Sequence, residues 1–510
     1  MEITRFWGTR PQSLIALTGQ VLIFAFGKLY SFAVIFGLRR VILCFAQLKG
    51  KYYITEAKGF NITFCVNKIY RPERSEGYHL YLLTLITFYD KISINISRGG
   101  IDMNLYEELQ WRGLIQDISD EAIIDKLNNG QITFYIGTDP TADSMHIGHY
   151  SSFLISKRLA KHGHKPLLLV GGATGLIGDP KPTAERPMIS KEEVDKNIKG
   201  LTKQAEEIFG FEVVNNYDWT KDINVIDFLR DYGKFFNVNY MLAKDKVKSR
   251  METGITFAEF SYMILQALDF LYLYETRDCV LQVAGSDQWG NITAGIELIR
   301  RKIDKEAYGM VMPLVTDSNG VKFGKTEGNA LWLDKNKTSG YELYQYLVNL
   351  EDSMIIDYLK KLTFLTKEEI EEIEAKHLEH PEYREAHKAL AKEIITDLHG
   401  TEEYEKAVRI SEALFSGRVG SLTKEEIEVG FKGMTIKPVE AGMNILDFVV
   451  AMGAASSKRE AREFVGNNAI AINGEKVNDL ETIIDEKFFI ENTYIIVKRG
   501  KKNYYIGKMD

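Results

Sequence analysis

The chain has 510 residues, which is enough for roughly two to four domains that each bury a hydrophobic core. Its net charge of −7 excludes a protein that coats nucleic acid through overall positive charge, so any contact with RNA must be local. The 3 cysteines are too few for a disulfide framework or a cysteine-based zinc site, and we therefore expect a reducing compartment, the cytoplasm.

Residues 1–102 differ from the rest of the chain in charge. They contain 13 basic and 6 acidic residues, whereas the remaining residues are acidic overall. An apolar run, Ser13–Leu38, is long enough to cross a bilayer and is followed by Arg39 and Arg40. Lys28 near the middle of the run makes a membrane span costly, and we expect no stable membrane association.

Another interpretation is that residues 1–102 are an atypical N-terminal extension that is not translated natively. The residues SRGGID precede Met103, and Arg-Gly-Gly can be encoded by a purine-rich stretch at ribosome-binding distance from a start codon. We hypothesise that Met103 is the natural start. Abundant native peptides from before Met103 would contradict this hypothesis, and the sequence alone leaves both interpretations open.

The first elements after the extension predict a βαβ unit. Apolar residues alternate in Ile132–Asp139, which indicates a strand. A helix from Met145 is expected next, with Asp143 or Ser144 as its N-cap. The continuous apolar segment Pro166–Gly172 is typical of a strand buried on both faces of a parallel sheet.

A further strand and helix extend this α/β pattern. Cys279–Gly285 predicts a strand, and the segment NITAGIELIRRK after it predicts a helix. We therefore expect an α/β fold with a doubly wound, parallel, Rossmann-like catalytic domain at 103–322.

The pattern changes to helices alone over 323–432, where we predict an all-α domain. One of its helices begins with a capping-box pattern at Thr366–Glu369. Residues 443–510 predict a small α+β domain, with helices that begin after Asn444 and Ser457 and short strands towards the end of the chain.

The stretch TDPTADSMHIGHY places His146 and His149 at the first turn of a predicted helix. An isolated histidine pair is more often a surface or core feature than a site, and nine histidines supply no convincing set of zinc ligands. The start of a helix after a parallel strand, however, offers free N–H groups to a phosphate. Gly148 leaves room for a ligand, and an imidazole can donate to a phosphoryl oxygen. We therefore predict a phosphate site without a metal.

The stretch GVKFGKTEG places Lys322, Lys325 and Thr326 among glycines. Two ammonium groups on a mobile loop can bind a leaving diphosphate. Alone, this pattern is more typical of a solvated loop, but together with the histidine pair it indicates a nucleotide site.

These two motifs resemble the signatures of a known enzyme class. HIGH at 146–149 matches the HIGH signature of class I aminoacyl-tRNA synthetases, and KFGKT at 322–326 looks like their KMSKS loop. Five longer stretches resemble the bacterial tyrosyl-tRNA synthetases in particular: YIGTDPTADSMHIGH, GGATGLIGDP, EFSYMILQALDF, QVAGSDQWGNITAG and LVTDSNGVKFGKTEG.

The resemblance implies an ATP-dependent ligase that joins L-tyrosine to tRNA(Tyr) through a tyrosyl-adenylate. ATP would be a substrate, Mg²⁺ would shield the diphosphate, and the enzyme would be a homodimer. The apolar surface between Asp227 and Met251 could serve as the dimer interface, although its pattern does not show this. The all-α region, 323–432, would be of the anticodon-binding type.

The resemblance also implies roles for individual residues. It assigns catalysis to His146, His149, Lys322, Lys325 and Thr326. It assigns tyrosine binding to Tyr135, Asp179, Tyr262, Gln266, Asp269 and Gln288. Of these, Tyr262, Gln266 and Asp179 would bind the α-amino group of tyrosine. It assigns ATP binding to Asp139, Thr141, Gly148, Ser152, Gly285, Asp287 and Lys325. Whether Lys181 or Arg186 reaches the diphosphate is left open.

Tyr135 and Asp269 would both bind the phenolic hydroxyl of the substrate. Without the resemblance, Tyr135 would be interpreted as a core aromatic residue of a strand. Asp269 lies in the apolar segment MILQALDFLYLY, where an uncompensated carboxylate is costly, so we expect it to have a partner.

The last domain resembles an S4 RNA-binding domain through SSKREAREFV and AIAINGEKV. Asn468 stands where a glycine is typical, but asparagine tolerates a left-handed backbone. Two basic clusters near aromatic residues predict RNA contact. Their members are Lys458, Arg459 and Arg462, and then Lys498, Arg499, Lys501 and Lys502.

Two alternatives remain from the sequence. The similar tryptophanyl-tRNA synthetases share both signatures, but Tyr135, Asp269 and an S4-like tail favour tyrosine. A noncatalytic RNA-binding homologue is opposed by the intact motif residues His146, His149, Lys322 and Lys325.

Overall fold

The computed structural model describes residues 103–181, 186–326, 329–500 and 503–509, with only the backbone of Asp245, Lys325, Thr326 and Asn329. Of residues 1–102 it describes the backbone of seven strands, β1–β7: Ser13–Thr18, Val21–Phe26, Leu29–Phe36, Val41–Leu48, Lys51–Thr55, Phe60–Ile62 and Ile96–Arg98. The other predictions about the extension lie outside the described residues. No helix in the described ranges combines the length and the apolar character needed to cross a bilayer.

The chain divides into two compact units, Met1–Met103 and Asn104–Asp510. In the second unit, six strands form one sheet in the order β11-β10-β9-β12-β13-β8. The strands are β8 Asp117–Ile118, β9 Thr133–Thr138, β10 Lys165–Val170, β11 Glu212–Asn215, β12 Cys279–Gly285 and β13 Tyr308–Met312.

Strands β9–β13 are parallel, and the short edge strand β8 is antiparallel to β13. The chain therefore winds outward from β9 in one direction to β11, then returns to β12 and β13 on the other side. This confirms the doubly wound parallel fold, and it places a ligand crevice at the carboxyl ends of β9 and β12, where the winding reverses.

Strand β9 is buried on both faces. Phe134 and Ile136 belong to one hydrophobic cluster, whereas Tyr135 packs with Phe270 in a second cluster on the opposite face. The alternation that identified this strand therefore marks two different cores rather than an apolar and a solvated face.

Helices cover both faces of the sheet. In chain order they are α1 Leu105–Trp111, α2 Ala122–Asn129, α3 Ile147–Lys161, α4 Lys191–Gln204, α5 Tyr217–Thr220, α6 Val225–Asp227, α7 Val238–Leu242, α8 Asp245–Lys248, α9 Phe257–Arg277 and α10 Trp289–Ile303. Beyond the sheet, β14 Lys325–Thr326 and β15 Asn329–Ala330 form a short antiparallel pair.

The predicted N-cap of α3 is wrong, because the cap is His146. Its Nδ1 accepts the backbone N–H of Gly148 at 3.1 Å, and the Nδ1 of His149 accepts the backbone N–H of His146 at 3.1 Å. Asp143 instead forms ion pairs with lysines of other segments, and the Ser144 hydroxyl accepts the Gln204 amide N–H at 2.9 Å. Tertiary contacts thus occupy the two residues that local preference favours as caps.

The next region is helical, as predicted, and residues 340–432 contain no strand. Its helices are α11 Gly340–Val348, α12 Ile355–Leu362, α13 Lys367–Glu379, α14 Glu385–His399, α15 Thr401–Ser416 and α16 Lys424–Gly430. The capping box at Thr366–Glu369 forms. Phe323 packs against Tyr346 of α11 and Tyr358 of α12, so the KFGKT loop packs against the helical region.

The last region has the predicted α+β composition, with a five-stranded sheet in the order β16-β22-β21-β18-β19. Its elements are β16 Ile436–Val439, β17 Met443–Asn444, α17 Ile445–Ala451, α18 Lys458–Gly466, β18 Ile470–Ile472, β19 Glu475–Lys476, β20 Ile483–Ile484, β21 Tyr494–Arg499 and β22 Asn503–Met509. Asn444 and Ser457 are N-caps, and Asn468 has a φ of 55°, which confirms its left-handed backbone.

Candidate active site

The backbone of Leu331 bridges the two signature motifs. The N–H of Ile147 donates to the carbonyl oxygen of Leu331 at 2.8 Å, and the N–H of Leu331 donates to that of Gly324 at 3.3 Å. A Cβ placed on Gly324 would lie 1.8 Å from Cγ2 of Ile147. The KFGKT loop is therefore fixed against the first turn of α3.

The histidine pair forms a compact unit at this turn. The ring centroids of His146 and His149 are 3.9 Å apart, and each Nδ1 accepts a backbone N–H. Burial, and next the neighbouring His146, lower the pKa of His149 to about 3. His149 is therefore neutral near pH 7, and because Nδ1 is an acceptor, its proton lies on Nε2, where it can be donated to a ligand.

Gly148 has a second role besides leaving room for a ligand. A Cβ at this position would lie 2.8 Å from Cε1 of His146 and 2.9 Å from its Nδ1. Any side chain would displace the imidazole, so the glycine fixes the geometry of the pair.

The other residues of the predicted phosphate site are mainly exposed. Lys322 is exposed, while the side chains of Lys325 and Thr326 lie outside the described residues. Thr141 is exposed, and its N–H donates to the carbonyl of Asp139 at 2.8 Å.

Two further predicted ATP-binding positions lie close to the same turn and strand end. The Ser152 hydroxyl is 3.5 Å from the carbonyl of Gly148, a long contact that leaves it able to rotate towards a ligand. A Cβ on Gly285 would lie 2.9 Å from Oδ1 of Asp287, which shows how closely that carboxylate packs over the end of β12.

The predicted tyrosine pocket contains a buried hydroxyl without a protein partner. Tyr135 is 1% exposed, and its hydroxyl has no hydrogen-bond partner among the described residues. Burial, and next the charge of Asp269, raise its pKa well above the usual range. Burial also raises the pKa of Asp269 to about 7, although two hydrogen bonds oppose this shift.

The partners of Asp269 are Asn216 and Trp219, which the sequence did not reveal. The Asn216 amide and the Trp219 indole N–H each donate to the carboxylate at 2.9 Å. Both residues follow β11, and polar residues at the carboxyl end of a parallel strand are the signal that could have found them. The prediction that Asp269 needs a partner is thus confirmed.

A hydrogen-bonded chain connects this pocket to the end of β9. The Asn216 amide donates to the Thr174 hydroxyl at 3.0 Å, and Thr174 donates to Asp139 at 2.8 Å. The Tyr262 hydroxyl donates to the other oxygen of Asp139 at 3.0 Å. Burial raises the pKa of Asp139 to about 6. Tyr262 is therefore hydrogen-bonded to Asp139, which the resemblance assigns to ATP binding.

Asp179 is the centre of a second polar cluster. The Asn291 amide donates to Asp179 Oδ1 at 3.2 Å and to Gln266 Oε1 at 2.9 Å, while the Gln288 amide donates to Asp179 Oδ2 at 3.1 Å. Lys246 forms an ion pair with Asp179. The structure thus brings three predicted tyrosine-binding residues together through Asn291 and Lys246, neither of which the sequence indicated.

Lys181 and Arg186 flank residues 182–185, which lie outside the described part of the chain. The Arg186 Nε donates to the carbonyl of Asp179 at 2.7 Å, whereas Lys181 is exposed and its carbonyl accepts from Arg250 at 3.1 Å.

The C-terminal basic residues form two groups of different character. Lys458, Arg459 and Arg462 are exposed on α18. Arg499 instead donates to the Ala454 carbonyl at 2.7 Å and lies over the rings of Phe464 and Tyr505. Lys498 lies over Tyr504, and Lys501 and Lys502 lie outside the described residues. Arg499 therefore packs against α18 as well as adding charge.

One group of three side chains in the described ranges has the composition of a metal site: Asp352, His377 and His387, whose donor atoms lie within 4.8 Å of one another. The Nε2 of His387 is 3.0 Å from the Leu350 carbonyl, to which Arg384 also donates. The positive charge of Arg384 opposes a cation here and, after burial, is the second cause that lowers the pKa of His387 to about 4. The group is better explained as a hydrogen-bonded contact between helices.

Comparison with known proteins gives consistent matches along the chain. Residues 127–416 match the family "tRNA synthetases class I (W and Y)", and residues 426–506 match the "Tyrosine--tRNA ligase SYY-like C-terminal domain". The tyrosine--tRNA ligase of Listeria monocytogenes is 51% identical over 416 residues, which cover 79% of this chain and 99% of the relative. That of Geobacillus stearothermophilus is 50% identical over 415 residues, with the same shares covered.

A solved structure agrees with these sequence matches. A C-terminally truncated mitochondrial tyrosyl-tRNA synthetase of Aspergillus nidulans superposes with a TM-score of 0.55 and 31% identity. The superposition covers 62% of this chain and 95% of that one.

Proposed function

Because the chain belongs to the tyrosine--tRNA ligase family of class I tRNA synthetases, we propose that it joins L-tyrosine to tRNA(Tyr) in an ATP-dependent reaction through a tyrosyl-adenylate. The pocket around Tyr135 and Asp269 carries this proposal. A phenolic hydroxyl can accept a hydrogen bond from Tyr135 and donate one to Asp269, which would satisfy the buried hydroxyl. Phenylalanine would leave the Tyr135 hydroxyl unpaired and would give Asp269 no hydrogen bond beyond those from Asn216 and Trp219, so it would bind much less well.

The reaction would proceed by two displacements. A carboxylate oxygen of tyrosine attacks the α-phosphorus of ATP, the bond to the β-phosphate oxygen breaks, and diphosphate leaves. A ribose hydroxyl at the tRNA 3′ end then attacks the tyrosyl carbonyl carbon, loses its proton, and AMP leaves. No side chain has to act as a nucleophile, so the enzyme contributes position and charge stabilisation.

The residues of the two signatures would stabilise the first displacement. The Nε2–H of His149 can donate to a phosphoryl oxygen as its charge grows, and His146 lies beside it. Lys322 and Lys325 would bind the leaving diphosphate. Asp287 offers an exposed carboxylate oxygen but lies 3.7 Å from the Lys246 ammonium group, so Mg²⁺ would be held mainly by the diphosphate oxygens, whose charge it would shield.

Further parts of the chain would serve tRNA binding and assembly. We include the basic residues of α18 as tRNA contacts, and we keep 103–322, 323–432 and 443–510 as the proposed domains. Exposed apolar side chains such as Val238 and Met251 favour a homodimer interface near Asp227–Met251. Light scattering of the purified chain measures its molar mass and so tests whether it is a dimer.

The overall reaction is tested by aminoacylation of tRNA. The purified protein with ATP, labelled tyrosine and a transcript of tRNA(Tyr) should give acid-stable tyrosyl-tRNA. The product should disappear when ATP is omitted. If the folded protein forms no labelled tRNA, the proposal is overturned.

A further inference from the structure

Lys246 forms an ion pair with Asp179, the carboxylate that would bind the ammonium group of tyrosine in the proposed function. Its ammonium group pairs with Asp179, whose side chain is only 10% exposed. The amides of Gln288 and Asn291 donate to the two Asp179 oxygens but bring no positive charge. A carboxylate with so little water contact requires a cation, and within the chain Lys246 provides it.

The position of Lys246 is set by its surroundings. It lies on the short helix α8, where the next residue, Val247, is 3% exposed. Arg250, just after the helix, is also buried and pairs with Glu259 of α9 at 3.2 Å. Lys246 therefore projects towards Asp179 from an anchored segment.

A second carboxylate is within reach of the same ammonium group. The Nζ of Lys246 lies 3.7 Å from Oδ2 of Asp287. Asp287 is 42% exposed, so water already contributes to its solvation. Because a lysine side chain is flexible, its ammonium group can transfer from Asp179 to Asp287 without movement of the backbone.

We propose that Lys246 is a displaceable internal counter-ion, which holds the ammonium subsite at Asp179 until the ammonium group of a ligand takes its place. The ammonium group of tyrosine takes over Asp179, and Lys246 moves to Asp287. A phenol without an ammonium group leaves the Lys246–Asp179 pair in place and gains nothing from Asp179. This inference rests on the proposed function, because it takes Asp179 as the ammonium ligand.

The exchange has a measurable cost for the natural substrate. Part of the binding energy of the tyrosine ammonium group is used to displace Lys246, so tyrosine binds less tightly than Asp179 alone would allow. A neutral residue at position 246 should therefore tighten tyrosine binding. Loss of an ordinary substrate contact would have the opposite effect.

The test is calorimetric titration of the full chain with three ligands. In Lys246→Met, the Kd of tyrosine and of tyramine should fall roughly three- to tenfold, since the competing ammonium group is gone. The Kd of 3-(4-hydroxyphenyl)propionate, which has no ammonium group, should not fall. Lys246→Arg should return the tyrosine Kd towards the wild-type value. Lys248→Met, an exposed position on the same helix, is the matched control and should bind like wild type.

A second variant, neutral but polar, keeps the test decisive if Lys246→Met does not fold. Lys246→Gln can still donate to Asp179, so it decides the test if Lys246→Met does not fold. Unchanged or weaker tyrosine binding in the folded neutral variant would overturn the inference, as would an equal gain for the propionate. Wild-type protein that binds no tyrosine at all would instead overturn the proposed function.

Discussion

Gly324 of the KFGKT loop lies against Ile147 at the start of α3 with no room for a side chain. A Cβ at Gly324 would lie 1.8 Å from Cγ2 of Ile147. The φ of Gly324 is 79°, a conformation that other residues rarely adopt. Its N–H also donates to the Tyr346 hydroxyl at 2.9 Å, so the contact connects the loop with α11.

We expect Gly324→Ala to move the KFGKT loop away from the HIGH motif at the start of α3. The Cβ must push the loop away from Ile147, so the rate of tyrosyl-adenylate formation should fall by about tenfold or more, because catalysis here depends on position. The free energy of unfolding should decrease by about 1–3 kcal/mol from strain and overpacking. Stopped-flow adenylation and chemical denaturation measure the two effects.

Gly320→Ala is the control for backbone strain. Gly320 has a φ of 80°, but a Cβ there would meet no atom within 4 Å. Its substitution should cost about 1 kcal/mol from the left-handed backbone alone. Equal losses of stability at the two positions would show that the contact with Ile147 does not matter.

The Tyr135→Phe variant should separate stability from specificity. It removes a buried hydroxyl that has no partner among the described residues, so the free energy of unfolding should stay the same or rise by about 1 kcal/mol. The ratio of kcat/KM for tyrosine over phenylalanine should fall about tenfold or more, because one group that recognises the phenolic hydroxyl is lost. A clear loss of stability with unchanged specificity would identify Tyr135 as a core residue only.

The raised pKa of Asp269 predicts a particular pH dependence of stability. Its pKa is about 7 in the folded chain and 3.8 in a solvated reference, so between these values the folded state retains a proton that the unfolded state loses. The contribution of Asp269 to the free energy of unfolding should therefore decrease as the pH rises from about 4 to about 7. The contribution of Asp139 should decrease with rising pH in the same way, because its pKa in the folded chain is raised to about 6.

Denaturation at several pH values compares wild type with Asp269→Asn. The stability of wild type relative to the variant should fall as the pH rises from about 4 to about 7, because the variant lacks the contribution of Asp269. Asp222→Asn, which removes an exposed carboxylate, is the control, and its curve of unfolding free energy against pH should run parallel to that of wild type. Parallel curves for wild type and Asp269→Asn would contradict the assignment.

His146→Ala should affect catalysis more than binding. If the histidine pair acts on the phosphoryl group, adenylation should slow by about 10²–10³-fold, the usual effect of losing a transition-state donor. The Kd of tyrosine should change by less than about threefold, since the pocket of Tyr135 and Asp269 is intact. Equal losses in rate and affinity would show that His146 supports the structure of the whole site.

Local patterns in the sequence predicted the elements that position the site. Ile132–Asp139 and Cys279–Gly285 were recognisable as strands because apolar side chains pack within one sheet. The HIGH and KFGKT motifs were recognisable because they are short and contiguous. The N-cap of α3 was mispredicted because Asp143 and Ser144 use their oxygens in other contacts.

The partners of the site residues could not be predicted in the same way. Asn216 and Trp219 approach Asp269 from a different strand end, and Lys246 approaches Asp179 from a short helix. Such contacts join distant segments and leave no local period in the sequence. They become visible only when the order of the strands places these ends at one edge of the sheet.

The exchange of labelled diphosphate into ATP, measured separately with tyrosine, tryptophan and phenylalanine, tests the central claim most directly. This reaction reports adenylate formation without tRNA. We predict rapid exchange with tyrosine and none above background with tryptophan or phenylalanine. Exchange with tryptophan, or no exchange with tyrosine from a folded protein, would contradict the assignment of Tyr135 and Asp269 as the residues that select the substrate.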